Sequence, residues 1–286
     1  FVPGSASLRP EDVRAAGLGV EVQASPVLTL AAAAFGRQTR DIAALRAFVG
    51  GFPQYTGYSS YGSLDETGID LTARLARTSG VAVAAGYTFT VARDATGGTV
   101  AGTLGGFGAA PADGETRHAL DLAVDARVPA GLGLLSGTAL GVVVAAQSGL
   151  PYSAFEPNSN FSVFDSFTPG ITGGVNGARL PWTTQVDVRV DRRFAAGPAA
   201  VTVFAWAENV LGTRNVLAVY RVTGEPDRDG FPETPVGQTV LAAPGDRLLY
   251  EAYTGGPVNV GGRQSTGAPF VYGQPRQIRV GIILGS

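Results

Sequence analysis

The sequence predicts an all-β fold, a transmembrane antiparallel β-barrel, and three observations lead there. Charged residues make up 15% of the 286 positions and hydrophobic ones 45%, whereas a soluble domain carries roughly 25% charge. No uninterrupted apolar run reaches the ~18 residues of a membrane helix. Hydrophobicity instead alternates with period two, as in strands that have one apolar side.

The alternation is read along the chain in nine segments. Weaker versions open it at Ala15 to Gln23, Leu28 to Thr39 and Gly68 to Arg77. From Gly80 to Arg93, Val81, Val83, Ala85, Tyr87, Phe89 and Val91 alternate with small or polar residues. Between Arg117 and Val128, Leu120, Leu122 and Val124 face away from Asp121, Asp125 and Arg127. Leu134 to Gln147 follows. From Gln185 to Phe194, Val186, Val188 and Val190 oppose Asp187, Arg189, Asp191 and Arg193. Val201 to Val210 and Gln277 to Leu284 complete the set. Lengths of about nine to fourteen residues exceed ordinary strands and suit a tilted membrane span, which needs roughly nine to eleven.

Short links near Ala24 to Pro26, Thr78 to Gly80, Pro129 to Gly133 and Ala195 to Ala199 alternate with long ones. The long ones are Arg40 to Tyr61, Asp94 to Glu115, Ser148 to Pro181 and Leu211 to Pro275. Such a rhythm fits short periplasmic turns and long extracellular loops, and it makes the first and last strands run inward. In hydrocarbon every backbone donor and acceptor must be paired, so strands span only as a closed sheet. Carboxylates and guanidiniums then belong on the lumen side. Asp121, Asp125, Arg127, Asp187, Arg189, Asp191 and Arg193 are accordingly candidate lumen or plug contacts. Their alternating signs leave little net field, so a salt-bridge lattice that stiffens the wall is favoured over steering of an ion. Tyr87, Phe89, Trp182 and Phe194 lie near strand ends as a membrane girdle. Phe204 and Trp206 share the parity of Thr202 and Glu208 and fall on the lumen side, unless a bulge reverses the register. Tyr55, Tyr58 and Tyr61 form an aromatic cluster on an expected extracellular loop, either as ligand contacts or as part of a strand that continues past the membrane.

Composition removes other functions. With a net charge of -2 and no basic excess, nucleic acid is not an expected partner. Cysteine is absent, which removes thiolate chemistry and disulfides. The single histidine, His118, shares the lipid-side parity of Leu120, so no catalytic triad and no enzyme is expected. All 21 basic residues are Arg, as a GC-rich coding bias produces. Asp227-Arg228-Asp229-Gly230 lacks the further ligands of a calcium loop. Gly102, Gly105, Gly106 and Gly108 do not sit between a strand and a helix, so they read as loop rather than phosphate cradle. No cofactor is expected.

Several segments, in order, resemble the C-terminal part of TonB-dependent outer-membrane receptors, especially the Bacteroidetes-like type. Ser7-Leu8-Arg9-Pro10-Glu11 before Gly17-Leu18-Gly19-Val20 is similar to the family's L-K-P-E segment. Gly68-Ile69-Asp70-Leu71 and Ala85-Gly86-Tyr87-Thr88-Phe89 resemble two of its strands. Ser148-Gly149-Leu150-Pro151-Tyr152 matches S-G-x-P-Y. Arg179-Leu180-Pro181, Val186 to Phe194, Glu208-Asn209-Val210-Leu211 with Arg214-Asn215-Val216, and Gly273-Gln274-Pro275-Arg276 resemble the last strands and their links. The resemblance implies a 22-stranded barrel around an N-terminal plug, in the outer membrane of a Gram-negative bacterium. It also implies uptake of a scarce nutrient driven through the TonB complex.

Residues 1–286 are then the C-terminal part of one barrel domain, surrounded by outer-membrane lipid, with the plug outside this chain. An odd strand number and an end at Leu284-Gly285-Ser286, without a terminal aromatic, also read as a fragment. Two alternatives remain: a small unplugged porin-like channel, and a soluble extracellular β-sandwich for binding or adhesion, whose strands are usually shorter.

Overall fold

The computed structural model describes residues 8–48, 55–95, 110–129, 131, 133–156, 171–196, 199–254, 258–260, 263–265 and 271–285. Nine long strands form one antiparallel meander: β1 (Asp12–Ser25), β2 (Leu28–Phe48), β3 (Tyr55–Thr78), β4 (Val81–Asp94), β5 (His118–Arg127), β6 (Thr138–Gln147), β7 (Thr183–Ala196), β8 (Ala199–Glu208) and β9 (Gln277–Gly285). Each pairs with its neighbours in sequence, and the two-residue strand Ala110–Pro111 adds to β4. Among the described residues β1 pairs only with β2, and β9 only with β8.

The register explains the alternation. Ile69 lies opposite Phe89 and Leu71 opposite Tyr87; Leu122 and Val124 lie between Ala85 and Val83 of β4 and Val144 and Val142 of β6. Each apolar residue therefore meets apolar residues on both sides, and a continuous face results. Leu18, Val20, Ile278, Val280, Ile282 and Leu284 on that face are all more than half exposed. Among the described residues the buried apolar side chains are Ala92, Val271 and Pro151, against six buried polar ones. A β-sandwich buries the inner faces of two sheets against each other. Here one sheet leaves its apolar face uncovered, so the sandwich expectation is not met.

The short links, all at one end of the sheet, are tight. Ser79 and Gly80 both have positive φ, 49° and 87°, the pairing that a two-residue hairpin turn requires. A Cβ at Gly80 would stand 2.4 Å from the Arg127 carbonyl oxygen, while the Arg127 N–H and the Arg77 guanidinium both donate to the Gly80 carbonyl.

Several boundaries differ from those expected. β2 and β3 run to 21 and 24 residues, well past the nine to fourteen expected, so much of the anticipated loop at Arg40 to Tyr61 is strand. A double bulge at Thr39/Ile42 and Ile42/Ala43, with Asp41 at φ 59°, marks where the hairpin leaves the regular wall. β6 starts at Thr138, not Leu134, because a 3-10 turn at Gly133–Leu135 precedes it. β8 stops at Glu208, since Asn209 turns into the left-handed region at φ 49°. The expected loop at Leu211 to Pro275 contains a 3-10 turn (Phe231–Glu233) and two helices, α1 (Pro235–Val240) and α2 (Pro244–Thr254). The glycines at 102, 105, 106 and 108 lie outside the described residues.

Candidate functional site

The charged row is on one face, but its two halves are kept apart. Asp121, Asp125 and Arg127 align across β6 with Gln185, Arg189 and Asp191, through Ala145, Gly141 and Ala139. Two strand spacings put those rows about 10 Å apart. Charges are instead compensated by closer groups. Arg77 and Arg127 both pair with Asp125, Arg189 Nε lies 3.5 Å from Asp191, and Arg279 Nη2 lies 3.0 Å from Glu208. Asp187 accepts the Asn209 N–H at 2.8 Å and the Gln185 amide, so it serves as a cap for the end of β8. Asp121 and Arg193 form no ion pair among the described residues. Phe204 and Trp206 stand on this same face, opposite Asp191 and Arg189. The Arg189 guanidinium lies 4.7 Å from the Phe204 ring centre, and that of Arg279 lies 5.1 Å from Trp206, distances at which a cation is attracted to an aromatic face.

On the opposite, apolar face the end that carries the long links has a cluster that includes His118. Its ring stacks on Trp182 at 5.6 Å and lies 5.1 Å from Phe89, and its Nδ1 is 2.8 Å from the Tyr87 hydroxyl. Trp182 is 56% exposed. These side chains present an apolar body with polar tips, which suits a membrane interface. At the end of the short links, Phe194 lies on the apolar face under the Arg192 guanidinium, 4.9 Å away. Tyr55, Tyr58 and Tyr61 fall on β3, in its extension, and not in a loop. Tyr58 and Tyr61 are exposed.

Sequence reasoning missed the polar lattice that ties down the long links. Glu115, with a fully buried carboxylate, pairs with Arg117 at 3.2 Å and with Arg179. Arg179 belongs to a short strand, Ala178–Arg179, that pairs with Pro151–Tyr152. A Cβ at Gly149 would stand 1.9 Å from the Leu180 carbonyl oxygen, so glycine there permits the close approach. Buried Asn209 donates to the Thr213 and Gln274 carbonyls and accepts the Thr213 N–H. Asn215 clasps both backbone groups of Thr184. The Ser-Gly-x-Pro-Tyr and Glu-Asn-Val-Leu segments are thus where strands β5 to β9 are fastened together.

Farther out, the Asp227 and Asp229 carboxylates are engaged by phenols. Tyr250 donates to Asp229 at 2.7 Å, and Tyr272 donates to Asp227. Burial, then the hydrogen bond to Asp229, pushes the Tyr250 phenol above its ordinary value. The bond to Asp227 does the same for Tyr272.

No protein-family model and no curated protein matches this sequence. Solved structures do. The pyoverdine outer membrane receptor FpvA from Pseudomonas aeruginosa PAO1 matches 98% of the chain at a TM-score of 0.59 and 12% identity. The ferric-catecholate import receptor Fiu from Escherichia coli K12 matches 98% at 0.55 and 14% identity. The outer membrane transporter YddB from Escherichia coli matches 74% at 0.53 and 15% identity. The chain spans 28–30% of the length of these structures. At such identities the likeness shows the fold, and it does not single out the Bacteroidetes-like type: the chain has the all-β architecture of a transmembrane antiparallel barrel, as found in outer-membrane receptors and transporters.

Proposed function

We propose that this chain is the C-terminal part of the barrel wall of a TonB-dependent receptor, which takes up a scarce solute across the outer membrane of a Gram-negative bacterium. The supporting observation is a nine-stranded meander, apolar on one face and charged on the other, that matches outer-membrane receptors over nearly its whole length. Among the described residues β1 and β9 each leave one edge unpaired, which calls for further strands, because an open edge in hydrocarbon leaves backbone groups unsatisfied. On this reading the face bearing Asp121, Arg189 and Asp191 lines the lumen and meets a plug domain of the same protein, and the TonB complex supplies the energy. Exposed Tyr58 and Tyr61 on the β2–β3 hairpin are candidate first contacts for the solute.

The test is uptake of labelled ferric chelates, vitamins, oligosaccharides and peptides by cells with and without the gene. At least one solute is expected to lose accumulation in the deletion strain, and a protonophore is expected to abolish the same accumulation in the parent. Protonophore-insensitive uptake, together with a permanently open conductance of the purified protein in planar bilayers, would replace this reading with a passive channel.

A further inference from the structure

Between the outer ends of β8 and β9 lies a cavity of about 480 Å³, lined by Gly212, Thr213, Arg214, Tyr272, Pro275 and Arg276 among others. That volume falls within the usual range for small-molecule sites. Its frame is held by backbone and amide hydrogen bonds. Gly212 N–H donates to the Asn209 carbonyl at 2.8 Å and Gly273 N–H to the Asn215 carbonyl at 2.7 Å, while Asn209 holds the Gln274 carbonyl. The site is therefore largely shaped before anything enters it, which lowers the cost of binding.

Its charge has one sign. Neither Arg214 nor Arg276 forms an ion pair among the described residues, and no carboxylate lines the cavity. Arg214 lies flat against Tyr272, its guanidinium carbon 4.2 Å from the ring centre, and the Tyr272 hydroxyl is directed at Asp227. The Arg276 guanidinium rests against Gly212, whose φ of +67° favours glycine, and a Cβ there would stand 2.7 Å from Arg276 Nη2. A guanidinium offers a planar fork of donors that fits the oxygens of carboxylates and phosphates, often two at a time.

We propose that this cavity binds a small molecule through a phosphate or carboxylate group, held by Arg214 and Arg276. The group belongs either to a free solute or to a lipid headgroup at the outer surface. The inference is independent of the uptake reading, because binding requires neither a plug nor an energy source.

The experiment uses the protein purified from outer membranes in non-ionic detergent. Inorganic phosphate, citrate and dihexanoyl phosphatidylglycerol are titrated calorimetrically at low and high salt. Saturable binding of at least one probe is expected, weakened by salt, and reduced about tenfold or more in an Arg214→Gln/Arg276→Gln variant that keeps its strand circular dichroism. Binding of phosphate or citrate assigns a free solute; binding of the phospholipid alone assigns a headgroup. A second measurement needs no variant: phenylglyoxal modification of Arg214 and Arg276 in the wild type, followed by peptide mass spectrometry, is expected to slow when the probe is present. Absence of saturable binding by all three probes, equal binding by the folded double variant, or unaltered modification rates would overturn the proposal.

Discussion

The wall and the long links are built on opposite rules. In the wall, large apolar side chains such as Leu18, Val280 and Leu284 lie uncovered on one face, and order comes from continuous backbone pairing. In the links, Glu115, Ser148, Ser153, Asn176 and Asn209 are buried and polar, and order comes from side chains that hold backbone groups. The difference teaches that this chain sorts its residues by two solvents. Hydrocarbon enforces a period of two in the wall. Water enforces nothing comparable above it, so specific hydrogen bonds must define the shape there.

The strongest way to break the comparison is to place a charge on each face of the wall at neighbouring positions. Val142 shares the apolar face with Val124 and Val188, whereas Val143 is opposite Asp187. Val142→Arg is expected to cost about 2–4 kcal/mol if it lies near the bilayer midplane, and Val143→Arg about 0.5 kcal/mol or less. Urea unfolding in lipid vesicles checks both, and equal losses would refute the sidedness. Next comes the polar lattice. Asn209→Ala leaves buried backbone groups without partners and is expected to cost about 1–3 kcal/mol, with faster proteolysis between β8 and β9 as the second readout.

The two tryptophans sharpen the comparison without changing stability much. Brominated lipids are expected to quench Trp182 in a Trp206→Phe protein and to spare Trp206 in a Trp182→Phe protein, with aqueous acrylamide giving the reverse order. The smallest effect concerns the phenol of Tyr250, which packs on Phe231. Its pKa is raised in the folded protein by burial and by Asp229, so the unfolded chain releases this proton first. Stability is whole below the ordinary phenol value near 10 and declines as pH rises above it. Tyr250→Phe is expected to flatten that decline in an alkaline titration followed by near-ultraviolet circular dichroism.

How far the sequence could be read follows from the same division. All nine wall strands were legible because each residue there faces either lipid or polar surroundings. The extension of β2 and β3 was legible only as one of two readings of Tyr55, Tyr58 and Tyr61, since Asp41, Gly57, Ser59, Ser60 and Gly62 stand beyond the region that enforces alternation. Helices α1 and α2 were hidden by Pro235, Gly237, Pro244 and Gly245, which read as turn chemistry. One usable signal was present: Thr234 before Pro235 is a helix start, and its hydroxyl oxygen accepts the Gly237 N–H at 2.9 Å. That Phe204 and Trp206 share the face of the charged row came from counting alone and agrees with the register. The ion pair of Glu115 with Arg179 joins positions 64 residues apart, and no local pattern announces it. Asp187 was legible as a charged position, but its use as a cap depended on the turn at Asn209.

The scarcity of buried apolar side chains among the described residues also bears on heat. The heat-capacity increment of unfolding arises from apolar surface newly exposed to water. On the membrane-barrel reading most of that surface faces the surrounding amphiphile and can stay in contact with it when the strands separate within a micelle. The stability curve against temperature should then be flatter than that of a water-soluble domain of this size. Exchanging one detergent for another should shift it more than several degrees of warming.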